Sequence, residues 1–158
     1  MDDEVKKSLD KIFAQHREAK EVRAIQKEQS ISAEEEFKVD FETAADQIIV
    51  PVMNEIGEYI KAQGYSFRVD RQAERVTNIR TNRSQPAMVR LVIVTSAVQS
   101  HSDKNPAFSV FAEKSSKKVR FHESTRNLSG PAGEYPLSAL SRDLLQSRIL
   151  ELLKKVFQ

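Results

Sequence analysis

The sequence predicts an α+β fold with two long N-terminal helices, an antiparallel sheet of three to four strands, and a C-terminal helix packed on the sheet. Apolar residues recur every three or four positions up to about residue 63. They then alternate with polar residues through much of 65–124, and helical spacing returns after residue 141. Strands clustered between helices are typical of an antiparallel meander that is covered by helices on one face.

The first predicted helix runs from Asp3 to about Gln29 and carries only a narrow apolar stripe on a charged surface. Such a stripe is closer to a coiled-coil seam than to the buried face of a core helix. At ~1.5 Å per residue the helix would be about 40 Å long, which is the diameter of a compact chain of this size. We therefore expect residues 1–31 to form an oligomerisation or docking arm. The predicted contact residues are Val5, Leu9, Ile12, Phe13, Ala19, Val22 and Ile25.

A second helix is predicted to begin at Ser32 and to run to about Gln63. Ser32 and Glu35 have the spacing of a capping box, in which each side chain bonds the backbone amide of the other residue. Pro51 lies inside the apolar pattern and should kink the helix, because proline lacks the amide hydrogen. The alternative is two shorter helices that meet at Val50–Pro51.

Four alternating segments follow and predict the strands of a globular domain over residues 32–158: YSFRVDR, AMVRLVIVT, AFSVFAE and KVRFHES. The stretch 72–86 fits either a short strand or a loop. LSGPAGEYPLSALSRD contains two of the four glycines and two of the five prolines, so we expect a loop there. The last helix is predicted from about Ser141, which can cap it, to Phe157.

Composition narrows the class of protein. The chain of 158 residues has no cysteine, which excludes a disulfide framework, a thiolate metal site and a cysteine nucleophile. The acidic start MDDEVKKSLDKIF lacks the apolar core of a secretory signal. No apolar run approaches the roughly 20 residues of a membrane helix. We expect a cytoplasmic protein that does not bind membranes.

Charge is distributed unevenly along the chain. Residues 1–63 hold 9 Lys/Arg and 15 Asp/Glu, a net charge of −6, whereas residues 64–126 hold 12 and 5, a net charge of +7. Arginine-rich strands that share a sheet face would suit a phosphate backbone. The alternative is a solvated face, or one that pairs with the acidic half of the same or another subunit. The candidate polyanion-binding residues are Arg68, Arg71, Arg75, Arg80, Arg83, Lys118 and Arg120.

Motifs of known enzyme classes are missing from the sequence. It has no glycine-rich phosphate loop, no G-x-S-x-G elbow and no H-E-x-x-H pair. An enzyme would need a pocket near the strand ends, with His101, Asp103 and His122 as its candidates. We expect neither catalysis nor a cofactor nor a bound metal.

These observations predict a non-enzymatic, self-associating interaction or adaptor module, with a homodimer as the favoured assembly and a further protein partner as an option. The alternative prediction is a protein that binds nucleic acid or another polyanion through an arginine-rich sheet surface.

Overall fold

The computed structural model describes residues 2–78, 80, 83–95 and 105–158, with the backbone alone at 76–78 and 83. It divides into two compact units, Met1–Glu36 and Phe37–Gln158. Among the described residues no helix combines the length and the apolar character that are needed to cross a lipid bilayer.

The first unit is α-helical and belongs to helix α1 (Asp3–Ala44). Every residue from 2 to 32 is exposed to solvent. Ser32 lies inside the helix, so the helix start predicted there is wrong. The preceding stretch QKEQSI contains neither glycine nor proline, and Gln, Lys and Glu are good helix formers, so nothing in it ends the first helix.

The helices of the second unit present a row of buried residues at a spacing of four. The end of α1 is followed by a π-helical turn (Ala45–Ile49) and by helix α2 (Val50–Ala62). The members of the buried row are Phe37, Phe41, Ala45, Ile49, Met53 and Gly57. In a regular α-helix a spacing of four drifts by roughly 40° per step, so this row would leave the core within a few turns.

The π turn explains how the row stays on one face. It lies immediately before Pro51, where a kink was predicted, and the amide of Val50 donates to the carbonyl of Ala45, five residues back. Proline cannot donate such a bond, and its ring clashes with the carbonyl four residues earlier in a regular α-helix. A π turn, with its i→i+5 bonds, is wider and cancels part of the drift.

Seven strands follow in the described part of the chain: β1 (Ser66–Gln72), β2 (Arg75–Asn78), β3 (Arg83–Gln85), β4 (Met88–Val94), β5 (Ala107–Glu113), β6 (Lys118–Ser124) and β7 (Ser129–Pro136). Five of them form one antiparallel sheet in the order β1-β4-β5-β6-β7. Strands β2 and β3 pair separately, within the stretch whose structure was ambiguous from sequence. The predicted α+β class is confirmed, and the main sheet has five strands where three to four were predicted.

The additional strand β7 lies in the segment that was predicted to be a loop. Among the described strands it lies at the edge of the main sheet and pairs with β6 alone, so its prolines interrupt no ladder on the side away from β6. The pairing shifts register between Phe121 and His122, opposite Gly133, whose φ of 132° favours glycine. Proline and glycine here mark an irregular edge strand.

Helix α3 (Arg142–Phe157) packs against the sheet and begins where predicted, with the Ser141 hydroxyl accepting from the amide of Leu144 at 3.1 Å. A 3₁₀ turn (Leu137–Ala139) precedes it. The core lies between the helices and one sheet face, which we call the inner face. The inner-face residues that are buried are Val89, Leu91, Ile93, Phe108, Val110, Ala112, Val119 and Phe121.

Gly57 allows α2 to approach β1 closely. A Cβ atom at this position would lie 2.2 Å from the Phe67 ring. We expect Gly57→Ala to lower the free energy of unfolding by about 1–3 kcal/mol, because the ring or the helix must shift. Urea denaturation measures the change. Gly130→Ala is the matched control, since nothing lies within 4 Å of its added Cβ. Equal stability of the two variants would contradict the close packing.

Candidate functional site

The sheet face turned away from the helices, called the outer face, is mostly polar. Because side chains alternate along each strand, register fixes which residues lie side by side. One cross-strand row joins Asp70, Arg90, Ser109, His122 and Pro131. A second row joins Gln72, Met88, Phe111, Arg120 and Glu134, and a third joins Arg68, Val92, Ala107, Ser124 and Ser129.

Three of the predicted polyanion-binding residues share this outer face. Arg68 lies on β1, and Lys118 and Arg120 lie on β6. Arg68 Nε donates to both carboxylate oxygens of Asp70, at 3.0 and 2.8 Å. The Arg120 guanidinium lies over the Phe111 ring, 5.3 Å from its centroid. Each arginine is therefore held by a neighbour on the same face, which limits the entropy lost on contact with a ligand.

Arg71 lies on the opposite side of the sheet. It pairs with Val89, an inner-face residue, and its guanidinium binds the carboxylates of Glu42 on α1 and Asp46 in the π turn. The hydrogen bond to Asp46, and then that to Glu42, raises the pKa of Arg71. Arg71 therefore pairs with acidic residues of its own unit, Glu42 and Asp46, which belong to the acidic half of the sequence.

Of the remaining predicted arginines, Arg75 lies on β2, Arg83 lies on β3, and Arg80 lies between these strands in the chain. Arg75 and Arg80 are exposed. Arg83 begins β3, and its side chain lies outside the described part of the structure. These residues do not belong to the cross-strand rows of the main sheet.

Arg90 and Ser109 were missed as site residues. Arg90 Nε donates to the Ser109 hydroxyl at 2.8 Å, and Ser109 is 2% exposed. Each is a lone polar residue inside an otherwise apolar strand segment, MVRLVIV and AFSVF. A polar residue in a central strand needs a partner, and this signal was available in the sequence.

Of the three residues considered for an enzyme, only His122 can be placed. Its Nε2 lies 3.4 Å from the Ser129 hydroxyl, and its ring meets that of Phe111 edge-on at 6.4 Å. His101 and Asp103 lie outside the described residues. Within the described part of the chain no group of three or more His, Asp or Glu side chains is arranged to hold a metal ion.

The first unit supplies the other candidate surface. Its helix exposes large apolar side chains, among them Ile12 at 57%, Phe13 at 59% and Ile25 at 54%. At 3.6 residues per turn the residues Val5, Leu9, Ile12, Phe13 and Ala19 fall within an arc of roughly 120°. Val22 and Ile25 lie outside this arc, so the predicted contact residues do not form one stripe.

No protein-family model, curated protein or solved structure matches the chain.

Glu74 links Lys38 on α1 to Lys114, the residue after β5, and this link makes the stability of the second unit depend on pH. Its carboxylate accepts from Lys114 Nζ at 2.6 Å and from Lys38 Nζ at 3.0 Å, and its side chain is 13% exposed. Burial raises the pKa of Glu74, but the two lysine hydrogen bonds outweigh burial and lower it. A carboxyl whose folded pKa is lowered stabilises the fold above its unfolded pKa of about 4.3, and the effect is lost as pH falls through the folded value.

We expect Glu74→Gln to lower the free energy of unfolding at neutral pH by about 1–2 kcal/mol. The loss is modest because both ammonium groups stay partly hydrated. Urea denaturation at several pH values should show the difference from wild type shrinking below about pH 4. Glu58→Gln is the control, since Glu58 is exposed. A difference that persists unchanged at acid pH would contradict the charge pairing.

Proposed function

We propose that this protein is a non-enzymatic module that self-associates through the helix of its first unit. The observation that carries the proposal is the exposure of every residue from 2 to 32, large apolar side chains included. A single helix with an apolar stripe gains little stability in water and more from a second helix that covers the stripe. A second copy of the same chain offers the same stripe and forms a two-fold dimer.

The contact in this proposal is the arc of Val5, Leu9, Ile12, Phe13 and Ala19, which we call the seam. Acidic and basic residues surround it. Residues 2–16 hold four Asp/Glu and three Lys, and residues 17–30 hold four Lys/Arg and three Glu. Charges of both signs beside a seam allow cross-helix ion pairs and leave the isolated helix well hydrated.

The seam is tested by two matched substitutions. Ile12 and Ile25 have similar exposure, 57% and 54%, but only Ile12 belongs to the seam. We expect Ile12→Glu to convert the dimer to a monomer at ~10 μM, because a buried carboxylate at the centre of a seam has no partner. Ile25→Glu should remain dimeric. Light scattering after size exclusion measures the mass of each protein.

A monomeric wild-type protein at this concentration would contradict self-association. Dissociation by both substitutions, or by neither, would contradict the seam.

The outer face supports a second candidate function, the binding of nucleic acid or another polyanion. The sheet brings Arg68, Lys118 and Arg120 to one face together with Arg90, and the partly buried Phe111 offers an aromatic surface beside them. Cations along a sheet face can follow a phosphate backbone, and an aromatic ring can stack on a base.

Under this candidate function, replacing Lys118 and Arg120 by Gln should weaken binding of oligonucleotides of any sequence at ~50 mM salt. The slope of log K against log salt should fall by roughly 1.5–2, because two phosphate contacts are lost. Fluorescence anisotropy measures both quantities. The matched control is the double change of Lys61 and Lys154 to Gln, two exposed lysines on the helices. Absence of wild-type binding at this salt would contradict the candidate.

A further inference from the structure

The outer face contains a trough along β5. In the third cross-strand row the central residues are Val92 and Ala107, and in the first row the central residue is Ser109. These side chains are short, whereas Arg68 and Arg90 on one flank and His122 on the other are long. The difference in side-chain length leaves a cavity of about 290 Å³ on the sheet. Strand residues form most of its lining, because register places small residues between large ones, and Asn105 before β5 and Thr125 after β6 complete the described part of it.

The lining of this trough is cationic and rich in hydroxyl groups. Its cationic lining residues are Arg68, which is paired with Asp70, and Arg90. His122 also lines it, and no Asp or Glu is among its described lining residues. The hydroxyl-bearing lining residues are Ser109, Ser124, Thr125 and Ser129. Guanidinium groups and hydroxyls are donors that match the oxygens of a tetrahedral oxyanion.

Several of these donors are held in position by neighbours. Arg90 is fixed by its bond to the buried Ser109 hydroxyl, and Arg68 is held by the carboxylate of Asp70. His122 lies against Ser129 and the Phe111 ring. Donors that are already positioned lose little entropy on binding, so the arrangement suits a small ligand with few contacts.

A second cavity of the same unit differs in charge. It measures about 380 Å³ and is lined by Lys38, Lys114 and Arg120 together with Glu42, Glu74 and Glu113. Its cations are matched by carboxylates, and Glu74 already binds two of them. Three carboxylates line this cavity, whereas none of the described lining residues of the trough is acidic, so an anion should be repelled less by the trough.

We propose that the trough between β4 and β6 is a binding site for a small phosphate monoester, with Arg90 as its principal phosphate ligand. Its volume lies at the lower end of small-molecule pockets, which favours a single phosphate group with a short organic substituent over a dinucleotide. The site lies wholly within the second unit and does not depend on self-association.

The test is a ¹H–¹⁵N NMR titration of the full chain with inorganic phosphate and with glycerol phosphate at constant ionic strength. Saturable shifts at the amides of Ser109 and His122 are expected, with a dissociation constant of about 1 mM. Arg90→Gln should weaken binding about tenfold, because a charge-assisted contact is lost. Arg120→Gln removes a cation from the same face but outside the trough, so it should change the affinity less than about twofold.

A second variant keeps every charge in place and separates shape from charge. Ala107→Leu fills the floor of the trough and should abolish the saturable shifts while the variant keeps the dispersed spectrum of a folded protein. If Arg90→Gln fails to fold because the bond to Ser109 is lost, Ala107→Leu still tests the proposal.

If inorganic phosphate and glycerol phosphate both fail to cause saturable shifts, the proposal is overturned. Equal losses in Arg90→Gln and Arg120→Gln, or unchanged binding in Ala107→Leu, would also overturn it, because they would indicate diffuse charge attraction. Acetate is the remaining arm of the titration. If acetate binds as tightly as phosphate, the site takes carboxylates and the assigned ligand class is wrong.

Discussion

Burial of the inner sheet face beneath the helices of the second unit is the interaction on which the other features depend. Ile49 and Met53 on the helices and Leu91, Phe108 and Phe121 on the strands are fully buried. Strand side chains alternate between faces, so fixing these residues inward fixes the orientation of every neighbour. A slip of one residue would bring the arginines of the outer face into the core, at a prohibitive desolvation cost. The polar face is thus a consequence of the apolar one.

The same alternation separates residues that the composition groups together. Six arginines lie between residues 65 and 90, and a count of charge treats them as one basic segment. Arg68 and Arg71 are three positions apart on one strand, so they must face opposite sides. Arg71 meets Glu42 and Asp46, and part of the charge asymmetry is therefore balanced inside the second unit. Contacts of this kind reduce the number of cations that remain for a ligand.

Much of the fold could be predicted from the sequence because periodicity is a local property. The spacing of apolar residues changes from 3.6 to two after residue 63, and this change marked the boundary between helices and strands. The alternation within YSFRVDR already places Arg68 and Arg71 on opposite faces of the strand. Strand order and register depend on contacts between distant segments, so the proximity of Arg90, Ser109 and His122 could not be derived. The capping pattern at Ser32 was misleading because the residues before it are good helix formers and do not end the first helix. The glycines and prolines of β7 were misleading because an edge strand tolerates both.

The π turn before Pro51 has a consequence for how this helix tolerates length changes. It acts as a built-in single-residue insertion, because one extra residue is accommodated in a loop of the helical ladder. Deleting one residue between 45 and 49 would let the ladder close as a regular α-helix, and Phe41 would keep nearly the same position around the helix axis relative to Met53. Eleven regular residues turn through roughly 1100°, within about 20° of three full turns. The buried residues of the helices are therefore kept in phase by a backbone irregularity. Loss of a residue at the π turn would leave that phase nearly unchanged, whereas loss of one from a regular stretch between Phe41 and Met53 would turn one residue by about 100° relative to the other.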